Sequence, residues 1–358
     1  MKGFKKGVAL TAAFTMAAAS LTGCASTKAI DGTATVAICN EENITMGLAA
    51  LYTRIQQAQT FNMYASYMGA TEVMDMVVDK ETGETYGDEI KMSALVDIES
   101  FYLLRQHAEE FGVALTEEEL ASIEEHAAAF MAANDADALA KTGITQEAME
   151  ELLNLYAYQI KMYDAMVADV DTNITDEEAK QSKVTYVRVP LDGNTDEEGN
   201  IVDLTEEEIS AKKATAEEVL TDVLAAGVEA DFDAIAKAID ETLAATSSTY
   251  GEGTTVVDAS ILAAVEGLED GEIVDYVVES EDGKSLYIVR FDADLDREAT
   301  DAEKVTILTE RQTEDFNTEI ESWKEESSFT INSELWDSLK VNDTQIYDIY
   351  AETAEVTE

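Results

Sequence analysis

The sequence predicts an α+β protein in which a helical domain is interrupted by a small α/β unit. Three observations predict it. Threonine capping boxes recur along the chain, at Thr116-Glu-Glu-Glu119, Thr175-Asp-Glu-Glu178, Thr205-Glu-Glu-Glu208 and Thr300-Asp-Ala-Glu303. In each, the hydroxyl caps one orphan amide and the third-following glutamate reaches back to another, while acidic residues suit the positive end of a helix. Strand-like alternation is concentrated in the middle, between Val184 and Phe291. A strong helical pattern over 301–326 then follows, so the helical region resumes beyond the strands and is expected to pack back on the N-terminal helices.

In order along the chain, Thr35 to Cys39 reads as a strand and Asn40-Glu-Glu-Asn43 as a turn. Ile44 to Val77 reads as helix, rich in Met, Ala, Tyr and Gln; Asp79 to Asp88 is a polar turn. Ile90 to Phe111 is a second helix, with Leu95, Ile98, Tyr102 and Leu103 in one stripe. The capping boxes then start helices over 117–133, 176–182, 206–226 and 301–326, with a further helix over 145–170. Asp231 to Asp240 is a shorter amphipathic helix. Val184 to Val189, Ile273 to Val278 and Ser285 to Phe291 alternate as strands. The last two are joined by Glu281-Asp-Gly-Lys284, whose Asp-Gly is a hairpin signal.

The N-terminus reads as a leader. Lys2, Lys5 and Lys6 form a basic start, and Val8 to Ala19 is an apolar run too short to anchor across a bilayer. Leu21-Thr-Gly-Cys24 resembles the bacterial lipobox. That resemblance makes 1–23 a signal peptide, Cys24 the lipidated residue and 24–35 a tether, and places the rest of the chain outside the cytoplasm on a membrane.

Charge narrows the function classes. There are 76 acidic and 23 basic residues, a net charge of −53, and it becomes more negative once the three leader lysines are removed. Phosphate contacts need clustered Lys and Arg, so nucleic acid is excluded as a partner. An anionic membrane surface repels the chain, so the lipid has to hold it there. Weak cation association and basic clients are the expected electrostatic partners. Apolar residues make up 46%, enough for real cores, and no second apolar run approaches the length of a span. With Cys24 lipidated, Cys39 has no disulfide partner and reads as a buried structural thiol. Pro190 is the only proline.

The order of parts is informative. A lipobox is followed by a strand-turn-helix opening at Asn43-Ile-Thr-Met46, a helical module, an α/β unit and a last helix. Within the α/β unit, Tyr250-Gly-Glu-Gly253 is a glycine turn, and Ile261-Leu-Ala-Ala-Val-Glu-Gly-Leu-Glu-Asp-Gly-Glu-Ile273 carries Leu268, Gly271, Glu272 and Ile273 at one spacing. This resembles the PrsA/SurA-like foldases, which place a parvulin-type (PpiC) peptidyl-prolyl isomerase domain within a helical chaperone domain. The resemblance implies a helical chaperone domain over 36–182, a parvulin-like domain over 183–299, returning C-terminal helices over 300–345 and an acidic tail over 346–358. It implies a membrane-anchored extracytoplasmic foldase whose partners are unfolded or partly folded secreted polypeptides, working without a cofactor.

Prolyl isomerisation needs no covalent chemistry, only desolvation and stabilisation of a twisted amide against a barrier of roughly 18–20 kcal/mol. Parvulins resemble one another in using two strand histidines for this. Here the corresponding positions fall at Tyr186 and Tyr287; Asp240 matches the central acidic residue, and Val257, Ile261 and Leu268 the apolar proline pocket. With both histidines replaced, isomerase activity is expected to be weak or lost. The alternative class is an acidic surface lipoprotein, a solute-binding protein or scaffold. A solute-binding protein calls for alternating βαβ units in two lobes, where only one small α/β unit is read.

Other motifs carry less. His107 and His126 lie in the helical region with no nearby cysteine, which argues against zinc. Asp192, Asn194 and Asp196 fit the first ligand positions of a calcium loop. Glu197 stands where the turn needs glycine, however, and Asp203 where a bidentate glutamate belongs, so 192–203 reads as an acidic hairpin. No phosphate loop or nucleophile elbow occurs. Phe61, Met63, Tyr64, Tyr67, Met68, Met74 and Met76 read as core, or as an adaptable groove for apolar clients.

Overall fold

The computed structural model describes residues 29–68, 72–195 and 201–343. Cys24 and the acidic tail 346–358 lie outside the described residues. The chain runs β1 (Thr35–Cys39), β2 (Glu42–Thr45), α1 (Met46–Met68), α2 (Tyr86–Gln106), α3 (Glu117–Ala133), α4 (Ala136–Thr142) and α5 (Gln146–Met166). There follow β3 (Ser182–Pro190), the short pair β4 (Asn194–Thr195) and β5 (Ile201–Val202), α6 (Glu206–Ala226), α7 (Phe232–Ile239), β6 (Ala245–Tyr250) and α8 (Ala259–Val265). The chain continues with β7 (Val278–Glu279), β8 (Ser285–Ala293), α9 (Arg297–Glu326), β9 (Phe329–Ile331) and α10 (Ser333–Trp336). The described residues form two compact units: those up to 170 together with those from 313 onward, and, between them in sequence, those of 171–312. The discontinuous helical unit expected from the sequence is therefore present. Among the described residues no helix is long and apolar enough to cross a membrane.

The helical unit is built around α1. Every residue from Met46 to Ile55 is buried, and the polar Thr53 and Arg54 bond within the helix, to the Ala49 carbonyl and to Gln57. Around it α2, α3 and α5 contribute Ile98, Tyr102, Leu103, Ile123, Met149, Leu152 and Leu155 to one core. Ile320, Trp323, Trp336 and Leu339, from beyond the inserted unit, belong to that same core. Cys39 is fully buried, and burial pushes its thiol up to about 11. Three edge-to-face contacts link Tyr52, Phe101 and Tyr156, with centroids 5.5–6.4 Å apart. Residues 341–343 clamp the α1–α2 connection. The Asp343 carboxylate accepts from the amides of Val73, Met74 and Asp75 at 2.9, 2.8 and 3.1 Å, and Gln57 donates to the Asn342 carbonyl at 3.0 Å. Gly87 is needed for this crossing, because a Cβ there would lie 2.2 Å from the Val341 carbonyl oxygen.

Two boxes cap as read: Thr116 with Glu119 opens α3, and Thr205 with Glu208 opens α6. In α3 the Lys161 ammonium beside Glu119 and the Thr116 amide hold that carboxyl below its ordinary value. A lowered folded pKa means stabilisation that is full above the unfolded value and lost as pH falls through the folded one. Glu119→Ala is therefore expected to cost about 1–2 kcal/mol at neutral pH. The difference from the parent should shrink as the pH is taken below about 4.3, the ordinary glutamate value. Urea unfolding at several pH values checks it, and a penalty independent of pH would contradict the charge-assisted cap.

The other two boxes behave differently. Thr175 does accept the Glu178 amide at 3.2 Å, but residues 176–179 form a turn rather than a helix, because the chain enters β3 at Ser182. Thr300 lies inside α9, fully buried, where its hydroxyl accepts the Gln181 amide at 3.1 Å; Asp296 caps the helix instead. The helix expected over Ile44–Val77 begins only at Met46, since Glu42–Thr45 pairs with β1 as a hairpin, and α1 ends at Met68. Thr85-x-x-Asp88 is a further capping box, with aspartate in the glutamate role, so α2 starts ahead of Ile90. Of Ile273–Val278 only Val278 is in a strand, with Ile273 making a lone bridge to Arg290.

The inserted unit is a four-stranded antiparallel sheet in the order β6-β3-β8-β7. Alternation along β3 and β8 divides its side chains between two layers. Val187, Val189, Leu286 and Ile288 face α6 and α7, meeting Val219, Val223, Phe232 and Ala236. Val184, Tyr287, Val289 and Phe291 face α8, meeting Ile261, Val265, Val257 and Val274. The β7–β8 hairpin turns at Gly283, which adopts φ 69°, in keeping with the Asp-Gly signal.

Candidate functional site

The site lies on the α8 face of the inserted sheet. Tyr186 on β3 pairs with Val289, and Tyr287 on β8 pairs with Arg188, so the two tyrosines are diagonal neighbours on one face. Their rings meet edge to face, centroids 5.7 Å apart and planes at 89°. Tyr287 is buried and Tyr186 half-buried. The Tyr287 hydroxyl donates to Asp258 Oδ2 at 3.2 Å. Asp258 is fixed by its own local work: it caps α8 through the Ser260 amide at 2.9 Å and accepts the Ser260 hydroxyl at 2.7 Å.

The electrostatics follow from this packing. Burial is the main cause that raises the Tyr287 phenol, and the Asp258 charge adds to it. The Ser260 hydroxyl leads the causes that lower Asp258. At neutral pH the pair is therefore a neutral phenol donating to an ionised carboxylate. Such a pair offers hydrogen bonding and an apolar wall, and no proton shuttle poised near pH 7.

Val257 and Ile261 are buried in the same cluster as Tyr287, and Leu268 and Tyr186 each pack against it. The structure thus brings Tyr186, Tyr287, Val257, Ile261 and Leu268 together. It does not bring Asp240 there. Asp240 ends α7 on the opposite layer of the sheet, and its Oδ1 accepts the Thr242 amide at 2.9 Å and the Thr242 hydroxyl at 2.7 Å, closing a local turn. The carboxylate at the tyrosine pair is Asp258, which the sequence reading missed. Asp258-Ala-Ser260 ahead of the apolar Ile261-Leu262 is a helix-start signal that marks its position.

The Leu268–Ile273 stretch is held against β8. Gly271, at φ 84°, donates to the Phe291 carbonyl at 2.7 Å, and Phe291 returns a bond to the Glu272 carbonyl at 2.8 Å. On β3, Arg188 reaches Ser285 Oγ at 2.8 Å and Asp192 at 2.9 Å, so Asp192 is occupied by a guanidinium. β4 and β5 pair across that acidic loop, whose residues 196–200 lie outside the described residues. Among the described residues no three His, Cys, Asp or Glu side chains converge as a metal cluster. His107 ends α2 and stacks on Trp323; His126 bonds to the Ser122 carbonyl at 2.6 Å. In the aromatic and methionine group, Met74 is buried with Phe61 and Tyr64 against it, whereas Met63, Tyr67 and Met76 are exposed.

Comparison with solved structures finds several chains to which this one is similar. This chain is similar to PrsA-type foldases. The foldase protein PrsA of Lactococcus lactis matches with 13% identity over 85% of this chain and 97% of its own, at a TM-score of 0.33. The foldase protein PrsA of Streptococcus pneumoniae matches with 16% identity over 71% and 93%, at a TM-score of 0.28. A SurA-like chaperone of Campylobacter jejuni matches with 12% identity over 83% and 99%, also at 0.28. No known family pattern and no curated protein matches the chain.

Proposed function

We propose that this protein is a lipid-anchored, extracytoplasmic foldase that holds secreted polypeptides while they are unfolded, with prolyl-isomerase chemistry weak or lost. One observation carries the reading: a helical unit interrupted by an antiparallel α/β unit whose site face presents Tyr186 and Tyr287. The lipobox at Leu21–Cys24 supports the anchor, and the charge of −53 supports retention by lipid rather than by surface attraction. Holding an unfolded chain limits aggregation during its slow folding steps.

In this reading the tyrosine face is a binding surface. Val257, Ile261 and Tyr287, themselves buried, form the floor of that surface, and a client would meet it at the half-buried Tyr186 and Leu268. The only histidines of the chain, His107 and His126, belong to the helical unit.

The test has two arms. The purified chain is expected to suppress aggregation of a chemically denatured protein at stoichiometric ratio; failure sinks the foldase reading and leaves the acidic scaffold. In a proline-peptide assay the rate should stay within about twofold of buffer. A large acceleration abolished by Tyr287→Phe would restore full isomerase function. For the anchor, a Cys24→Ser chain should appear in the culture medium, and its persistence in membranes would count against lipidation.

A further inference from the structure

The small sheet of the helical unit has an open edge. Its strand order is β2-β1-β9, and no other described strand pairs with β9. The Asn40 amide donates to the Ser328 carbonyl and the Asn332 amide to the Val36 carbonyl, so Thr330 is the β9 residue bonded to Ile38 of β1. Antiparallel alternation then turns the N–H and C=O groups of Phe329 and Ile331 away from β1. Unpaired edge groups are a template for another strand.

Beside this edge lies a cavity of about 400 Å³ between α2, β9 and α10. Its apolar lining is partly exposed: Met92 is 57%, Val96 47% and Ile331 43% exposed. Trp336 is a buried part of the same wall, with the Lys91 ammonium 5.2 Å from its ring. Among the lining residues Asp88, Glu99 and Asp337 outnumber the one cation, Lys91, with Lys340 and Lys324 acting on Asp88 and Glu99 from outside the lining, on a chain with a net charge of −53. Lys91 is itself largely buried, and that burial lowers its pKa.

We infer that β9 receives an extended basic and apolar polypeptide segment as an added strand, its alternate side chains entering the α2–α10 cavity. The backbone bonds would give affinity without sequence, the cavity would take one apolar side chain at a time, and the acidic rim would select Lys or Arg neighbours. The inference rests on the foldase reading for the nature of the client and specifies where and how the client is gripped.

The experiment uses the full chain and a labelled ten-residue peptide alternating Leu or Val with Lys, followed by fluorescence anisotropy. Binding should weaken with salt. Ile331→Pro removes an outward amide without touching the β1 ladder, since the Ile331 amide faces away from it. That change and Val96→Glu are each expected to weaken binding at least tenfold. A peptide N-methylated on alternate amides should bind at least tenfold more weakly in the register where methyls meet the edge. Equal binding by both protein variants, by both N-methylated registers, or by an acidic peptide of the same length would overturn the inference. So would a concentration-dependent dimer abolished by Ile331→Pro, because the edge would then belong to a second copy. Aggregation suppression by the parent chain is measured alongside. If it persists while the peptide results fail, the edge proposal falls alone; if it is absent, the foldase reading has failed independently.

Discussion

Replacing Arg105 by methionine is expected to destabilise the helical unit by about 2–4 kcal/mol, below the full cost of breaking a buried ion pair because Glu42 and Glu151 are 42% and 33% exposed. The guanidinium holds Glu151 Oε1 at 2.7 Å and Glu42 Oε2 at 2.5 Å, and lies 4.7 Å above the Tyr102 ring. It is only 19% exposed. One side chain thereby ties β2, α2 and α5. Without it, both carboxylates lose their cation in a chain already crowded with negative charge, and among the described residues neither makes another salt bridge. Urea unfolding followed by circular dichroism reads the loss; a change below about 1 kcal/mol would show the triad to be no better than a surface pair. Adding Glu42→Gln and Glu151→Gln to the methionine variant should recover part of the loss, because the unpaired charges are then gone.

Trp323→Ala is expected to cost a similar amount, about 3–5 kcal/mol, the range for truncating a large buried aromatic. Trp323 sits on α9 beyond the inserted unit, yet it is 6% exposed and belongs to the core built by α1, α2 and α5. Its indole stacks on His107 at 4.2 Å with planes 3° apart, and Phe111 meets it edge-on at 6.0 Å. Hydrogen exchange locates the effect. Amides of α2 should lose protection, while those of β3 and β8 keep theirs. Equal loss in both units would mean that the two unfold as one, and no loss would mean that the returning helix is dispensable.

Helices with strong local signals were legible from their residues. Thr116 and Thr205 cap α3 and α6 because a capping box is complete within four residues and needs no partner elsewhere. The Asp282-Gly283 hairpin and the alternation of β3 and β8 were legible for the same reason. What escaped were elements made by pairing. β6 is Ala-Thr-Ser-Ser-Thr-Tyr, with no apolar alternation, and is a strand because β3 supplies its ladder. β9, at Phe329–Ile331, exists because β1 lies beside it. Thr175 and Thr300 carry the same four-residue pattern as the true caps, but the chain's entry into β3 and the buried bond from Gln181 decide their fates. At the candidate site, Tyr186 and Tyr287, named from the family resemblance, share one face of the sheet. Asp258 was missed in favour of Asp240, because which face of a sheet a loop carboxylate reaches is not a local property.

The sequence by itself determined the acidic charge, the helix starts at Thr116 and Thr205 and the presence of a small α/β unit between helical stretches. Each of these depends on near neighbours or on composition. Only the tertiary structure decided that Trp323 and Trp336 complete a core begun at Val36, that Asp343 caps the amides of 73–75, and that Asp258 serves Tyr287. Those contacts join residues distant in the chain, and their free energy comes from burial and pairing that exist only once the chain has closed on itself.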